Sequence, residues 1–313
     1  HTADMLLEKG FDVHCTIRKT SSLRWLKDKP FKLHETSFSD IESLKNAAEG
    51  ADYIFHAAGA TFARNYEDFL RSNRDGTKNL LEAARQTAPD LKRFLFVSSQ
   101  TVAGPSQSLE KPKVETDLCF PITSYGKSKK AAEDEVLKYK DIMPVTIVRP
   151  PAVIGPRDTA IFPLFKAVKG GLATLIGLKP KYLSLIHSHD VARGSIEAAF
   201  SDNTKGKIYF LSSEKFYTWD EIMDMIKTSV GRKNVFKLKI PHFIVLGAGG
   251  MSELFGKLSP KPPIFNFEKA QDFIQEYWTC SVEAAKKDFG YRQMMPMEQA
   301  VEDTVKWYID NKW

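Results

Sequence analysis

The sequence predicts an α/β fold: a mostly parallel, doubly wound sheet with a smaller, irregular α/β lobe after it. Three observations carry this. Short apolar runs alternate with helix-length segments across the first half of the chain, the rhythm of right-handed βαβ crossovers. Those runs are continuously apolar, as strands covered on both faces are. After about residue 156 the texture changes, with prolines and glycines breaking the rhythm. We therefore expect one sheet domain over 1–156, to which 182–213 returns, and a lobe made mainly of 157–313.

The elements follow in order. Residues 1–10 read as a helix already under way, closed by Gly10 at a C-cap. Strands are expected at 11–18 (FDVHCTIR) and, more weakly, at 31–38 (FKLHETSF). Residues 40–49 are helical, with Ile41, Leu44 and Ala48 on one side. A buried strand at 52–59 (DYIFHAAG) ends in small residues. A long helix spans 66–84. A strand at 93–99 (RFLFVSS) precedes a helix at 125–139, and 144–154 holds the next strand. In the second half we expect a short helix interrupted by Pro163 and Gly170-Gly171, a strand at 182–186, a helix at 191–200 and a strand at 207–213. Thr218-Trp219-Asp220-Glu221 is a capping box opening a helix to 230. The 241–258 stretch is apolar and glycine-containing, 260–263 is a turn, and 281–289 and 296–313 are amphipathic helices.

The totals exclude several classes. No run of 18 apolar residues exists in the 313, so no membrane span is expected. Net charge is +6, but Lys and Arg are interleaved with Asp and Glu. A nucleic-acid binder would concentrate that charge in a stripe. A modest positive field suits an anionic cofactor or substrate instead. Cys15, Cys119 and Cys280 share no metal-type spacing and form no disulfide framework. No signal peptide is expected, and a cytoplasmic location is expected.

In an open parallel sheet, ligands bind outside the carboxyl ends of the strands. After the first strand comes Arg18-Lys19-Thr20-Ser21-Ser22. In dinucleotide-binding sheets this position reads the adenosine ribose, and a basic residue suits a 2′-phosphate. After Phe55 come His56-Ala57-Ala58-Gly59-Ala60, small enough for a flat ligand to approach the backbone, or a tight turn requiring Gly59. Asn73, mid-helix beside Gly76, suits a structural hydrogen bond to neighbouring backbone. Ser98-Ser99-Gln100-Thr101 places hydroxyls at a strand end, either as a turn motif or within reach of a ligand.

Tyr125 and Lys129 are four apart and share one face of a helix. A phenol beside an ammonium is a proton-transfer pair if its pKa falls from about 10 toward 7, which takes roughly 4 kcal/mol. An exposed helix pair is the alternative. Pro150-Pro151-Ala152-Val153-Ile154-Gly155-Pro156-Arg157 follows the next strand and ends in an arginine at the junction of the two lobes, suited to a polar substrate or to pairing with Asp158.

Arg18, HAAG at 56–59, SSQTVAG at 98–104, YGKSK at 125–129 and RPPAVIGPR at 149–157 stand in one order. With these motifs the chain resembles an extended short-chain dehydrogenase/reductase with a Rossmann-type sheet. Within that family it is similar to the NAD(P)-dependent epimerase/dehydratase and dihydroflavonol-reductase/3β-hydroxysteroid-dehydrogenase branches. The resemblance implies Ser99, Tyr125 and Lys129 as catalytic residues, Tyr125 transferring the proton, Lys129 lowering its pKa and binding the nicotinamide ribose, and Ser99 orienting the reacting oxygen. It implies cofactor contacts from Arg18, Lys19, Phe38, Ala57, Ala58, Gly59, Pro150, Ala152 and Val153, with Tyr125 and Lys129. Asn73 matches the helix Asn supporting the sheet. Thr61, Gln100, Thr101 and Arg157 are substrate candidates.

The resemblance has departures. The family's first strand and Gly-x-x-Gly-x-x-Gly loop have no counterpart, so roughly ten to twenty residues are expected ahead of His1. Ser37-Phe38 replaces the Asp-containing adenine contact. Gln100-Thr101 stands where sugar dehydratases carry Asp-Glu, which argues against dehydration. Ala103 replaces a common Tyr, leaving room near the substrate.

The expected function is an oxidoreductase interconverting a secondary alcohol and a ketone, with NADP(H) favoured, NAD(H) possible and a small-molecule substrate. The apolar 241–258 stretch favours a greasy substrate, or packs the small lobe. A nucleotide-sugar epimerase and a non-catalytic dinucleotide-binding regulator are the alternatives. A homodimer is a possible assembly.

Overall fold

A computed structural model describes residues 1–256, 263 and 265–313. In chain order the elements are α1 (Thr2–Glu8), β1 (His14–Ile17), β2 (Lys32–Glu35), α2 (Ile41–Ala48), β3 (Tyr53–His56), α3 (Tyr66–Phe69), α4 (Gly76–Thr87), β4 (Arg93–Val97), α5 (Ser124–Leu137) and β5 (Val145–Arg149). Then come β6 (Ala152–Ile154), α6 (Phe162–Lys169), β7 (Leu172–Ile176), β8 (Tyr182–Leu183), β9 (Leu185–His187), α7 (Ser188–Phe200), β10 (Ile208–Phe210), β11 (Tyr217–Thr218) and α8 (Trp219–Ser229). Last are β12 (Phe236–Ile240), α9 (His242–Gly256), α10 (Phe267–Phe273), β13 (Tyr277–Trp278), α11 (Glu283–Phe289) and α12 (Met297–Asp310). The expected turn at 260–263 and the end of the apolar 241–258 stretch fall, apart from Pro263, outside the described residues.

The chain forms two compact units. The first comprises His1–Ser98, Ser128–Val148 and Ala192–Ile208; the second comprises Ser99–Lys127, Arg149–Val191 and Tyr209–Trp313.

In the first unit, β3 pairs parallel with β4, and β4 parallel with β5. The register sets Phe94 opposite Val145 and Phe96 opposite Ile147. These side chains are fully buried on one face with Leu44, Leu81, Ala84, Ala132 and Val136 from the covering helices, and Leu95 and Val148, which alternate with them toward the other face, are buried too, as the unbroken apolar runs predict. Arg93 opens β4 yet is buried. Its guanidinium donates to Thr146 Oγ1 (2.8 Å), Thr204 Oγ1 (2.6 Å) and the Ser201 carbonyl (2.9 Å), which satisfies the charge inside. β1 and β2 pair parallel in a separate two-stranded sheet.

The second unit is built from small sheets: β11-β8-β13, β6-β9 and β12-β7. Its core gathers Phe165, Val168, Leu175, Ile222, Met223, Ile226, Val301 and Tyr308 from α6, β7, α8 and α12. The capping box forms: Thr218 Oγ1 accepts from Glu221 N, and the Glu221 carboxylate accepts from Thr218 N.

Several elements differ from the sequence reading. The 66–84 helix contains a π-helical stretch, Leu70–Asp75, between α3 and α4, and the last of these runs to Thr87. Residues 144–154 hold two strands of different sheets, because the prolines at 150 and 151 carry no N–H for a continuous ladder. Residues 182–186 likewise divide between β8 and β9. Strands β7 and β12 and helix α10 are additions. Each of these strands is five residues long and is completed by its parallel partner, which lies far off in sequence.

Candidate functional site

Within the second unit, Ser99 and Tyr125 are brought together. Ser99 leaves β4 in an extended conformation (φ −158°) and caps the short 3-10 turn at 100–102. Its Oγ accepts from Thr101 N at 3.3 Å and from Thr101 Oγ1 at 2.9 Å. The Ser99 hydroxyl hydrogen-bonds the Tyr125 phenol. With Thr101 donating to it, Ser99 has its own proton free to face the phenol oxygen. Burial pushes the Tyr125 phenol above its ordinary value, and the Ser99 hydrogen bond opposes this. By themselves, without the charge of a cofactor, these residues leave the phenol above its ordinary value.

The start of α5 is held from several sides. Thr123 Oγ1 accepts from Gly126 N at 3.1 Å. The Glu268 carboxylate accepts from Ser124 N (2.8 Å) and Ser124 Oγ (2.7 Å), placing negative charge at the helix N-terminus. A Cβ on Gly126 would lie 2.8 Å from the Thr101 carbonyl oxygen. The glycine therefore lets the first turn of α5 press against the turn that carries Ser99.

Other candidates in this unit surround the same turn. Gln100 is buried; its N–H donates to the Pro150 carbonyl (2.9 Å), and its Nε2 has no partner among the described residues. Thr101 is half-buried, Pro150 buried, Ala152 exposed and Val153 half-buried. Arg157 is half-buried with φ +72°, a left-handed turn after β6.

The first unit holds the remaining candidates. Arg18 and Lys19 are exposed just past β1; Arg18 N donates to Ser21 Oγ, and Lys19 stands 3.7 Å from Glu35. Ala57, Ala58 and Gly59, just past β3, are exposed, as is Thr61. Phe38 is half-buried, its ring stacked 5.5 Å from that of His56, with Gly76 making room for its Cβ. His56 is a core histidine. Its Nε2 meets Thr77 Oγ1 at 2.9 Å, and burial, helped by Lys129, pushes it down to about 3.

Lys129 is buried. Its Nζ donates to the Val97 carbonyl oxygen at 2.8 Å and sits 4.1 Å from the Phe96 ring centroid. Burial pushes the ammonium down to about 7, and the carboxylate of Glu133 opposes that. Asn73 ties the neighbouring loop: its Oδ1 accepts from Ala60 N (2.7 Å), and its Nδ2 donates to the Ala60 carbonyl (3.1 Å) and to Ser128 Oγ (2.8 Å).

Sequence reasoning passed over Thr123, Ser128 and Glu268. Thr123-Ser124 before an apolar-periodic segment is a legible capping signal. The contacts of Ser128 and Glu268 join residues 55 and 144 positions apart, which no local pattern announces. Elsewhere in the second unit, His187, His189 and Asp303 offer ligand atoms within 4.8 Å of one another. His189 N donates to His187 Nδ1 at 3.4 Å, and His187 Nε2 lies 3.2 Å from the Asp303 carboxylate.

Comparison with known proteins defines the class as an NAD(P)-dependent dehydrogenase, reductase or epimerase of the extended short-chain dehydrogenase/reductase kind. The chain belongs to the NAD dependent epimerase/dehydratase family, whose model matches residues 1–212. It is 27% identical over 315 residues to a ceramide reductase of Caulobacter vibrioides, covering 100% of this chain and 92% of that one. It is 26% identical to the decarboxylating sterol-4-alpha-carboxylate 3-dehydrogenase of Mus musculus, covering 98% and 86%. Its fold resembles that of UDP-glucuronic acid 4-epimerase from Bacillus cereus, solved with NAD (TM-score 0.77, 17% identity, 100% and 95% covered). Among the described residues no helix is long and apolar enough to cross a membrane.

Proposed function

We propose that this protein is an NADP(H)-preferring oxidoreductase that interconverts a secondary alcohol and a ketone on a lipophilic molecule. The hydrogen bond between Ser99 and Tyr125, with Lys129 one helical turn further along α5, is the observation that carries the reading. Relatives named for ceramide and sterol chemistry support a greasy substrate.

The first unit would hold the dinucleotide and the second the substrate. Three features of the first unit fit a dinucleotide. Ala57–Gly59 are exposed at the carboxyl end of β3, the buried Ser98 Oγ after β4 has no partner among the described residues, and Arg18 and Lys19 offer exposed cations after β1. Ser98, Phe38, Pro150, Ala152 and Val153 would complete the contacts. When bound, the nicotinamide supplies or accepts the hydride. Tyr125 passes a proton between its hydroxyl and the substrate oxygen, and Ser99 holds that oxygen by hydrogen bonding. Lys129, protonated beside an anionic cofactor, supplies the positive charge that burial withholds from the phenol. Thr61, Gln100, Thr101 and Arg157 line the substrate side.

The test is Tyr125→Phe, assayed by NADPH oxidation with long-chain 3-oxo lipids. Turnover should fall by about 10³-fold or more, while NADPH affinity by fluorescence stays within about threefold. A variant that keeps its turnover overturns the assignment. Turnover without net cofactor oxidation would identify an epimerase, which returns its hydride.

A further inference from the structure

Helix α9 buries little of its surface. Val245 and Gly249 are its buried positions, and Gly249 lies so close to α10 that a Cβ would be 2.8 Å from Ala270 Cβ. The opposite stripe faces solvent: Phe243 is 73% exposed, Met251 62%, Leu254 63% and Phe255 67%. Positions 243, 247, 251, 254 and 255 recur at helical spacing and form one apolar face over about three turns. Strand β12 leads into this helix through Pro241 and adds Phe236 (68%) and Leu238 (40%) on one side of its ladder. An apolar surface this continuous is rare on a protein that meets only water.

The acids near α9 and β12 are mostly held by partners: on α10 Glu268 accepts from Ser124 and Asp272 from Lys269, and on α8 Asp220 and Asp224 pair with Lys237 of β12. Residues 225–252 contain no Asp or Glu, and neither do residues 159–189, which supply α6, β7 and β8. Lys166, Lys169, Lys179, Lys233 and Lys239 from these two stretches are all exposed. The single acid of α9, Glu253, accepts a hydrogen bond from Phe267 N. A greasy helix face on a unit that carries these exposed lysines matches a bilayer surface with anionic headgroups, into which the apolar face sinks while the lysines meet phosphate.

We infer that α9 and the end of β12 form a docking surface for an anionic phospholipid bilayer. The second unit thereby sits at the membrane interface without spanning it. This goes beyond the oxidoreductase reading and is tested without substrate or cofactor, so either can fail alone.

The experiment is flotation of the full chain with vesicles of phosphatidylcholine alone, or with about one-third phosphatidylglycerol. The wild type should float with the anionic vesicles and at least about tenfold less with phosphatidylcholine alone. Raising salt from about 0.1 M to about 1 M, which shortens the screening length from roughly 10 Å to 3 Å, should release much of it. The triple variant F243S/L254S/F255S, shown folded by circular dichroism, should lose flotation at least about tenfold; all three side chains are exposed. A wild type that stays below both vesicle types overturns the inference, as does a triple variant that floats like the wild type. A wild-type dimer in gel filtration that these substitutions dissolve, with no flotation, overturns it in favour of a contact between copies.

Discussion

The Lys129 ammonium donates to the Val97 carbonyl at 2.8 Å, in a setting dry enough to push it down to about 7. In the unfolded chain a lysine titrates near 10.4. Between these values the unfolded state binds more protons, so this residue's contribution to stability grows as pH rises and is lost as pH falls toward 7. At roughly 1.4 kcal/mol per unit, the cost at pH 7 is a few kcal/mol. We expect Lys129→Met to be more stable than wild type at pH 7 without cofactor, the gap closing toward pH 10. Denaturant midpoints across that range check this. A gap independent of pH would refute it.

Asn73 holds Ala60 by both its N–H and its carbonyl, and Ser128 by its hydroxyl. Replacing it with Ala leaves buried partners unsatisfied. We expect a loss of about 2–4 kcal/mol in urea unfolding, with a severalfold weaker fluorescence-detected affinity for NADPH.

Gly126 has the Thr101 carbonyl 2.8 Å from where a Cβ would stand. Gly126→Ala should push the first turn of α5 from the Ser99 turn. We expect about 1–3 kcal/mol of destabilisation and a fall in kcat of about tenfold or more with KM for NADPH little changed. Unaltered kcat would show that the spacing of Ser99 and Tyr125 does not limit turnover.

Arg18 is exposed past β1 with no carboxylate within two positions in sequence. Arg18→Ala should lower the ratio of kcat/KM for NADPH over NADH by about tenfold, the scale of one lost charge-assisted phosphate contact. A ratio that does not move would place cofactor choice elsewhere.

Much of the fold was legible because its signals are local. The apolar runs at 93–97 and 145–149 became neighbouring parallel strands. Thr218 and Glu221 became the expected capping box. The illegible parts depend on partners remote in sequence. β7 and β12 are 5-residue strands that acquire ladders only by pairing with each other. The π-helical stretch at 70–75 carries Asn73 toward Ala60 and Ser128, contacts that no periodicity encodes.

The sequence by itself determined the alternation of strands and helices, the family, and the placement of Tyr125 and Lys129 one turn apart on one helix. The alternation and the shared helix face follow from residue spacing, and the family from the resemblance of its motifs. Tertiary structure alone decided that Lys129 is buried against Val97 and Phe96, that burial raises the Tyr125 phenol, and that the apolar face of α9 is left uncovered. Spacing sets which side chains share a face. Desolvation depends on what the rest of the chain packs over that face.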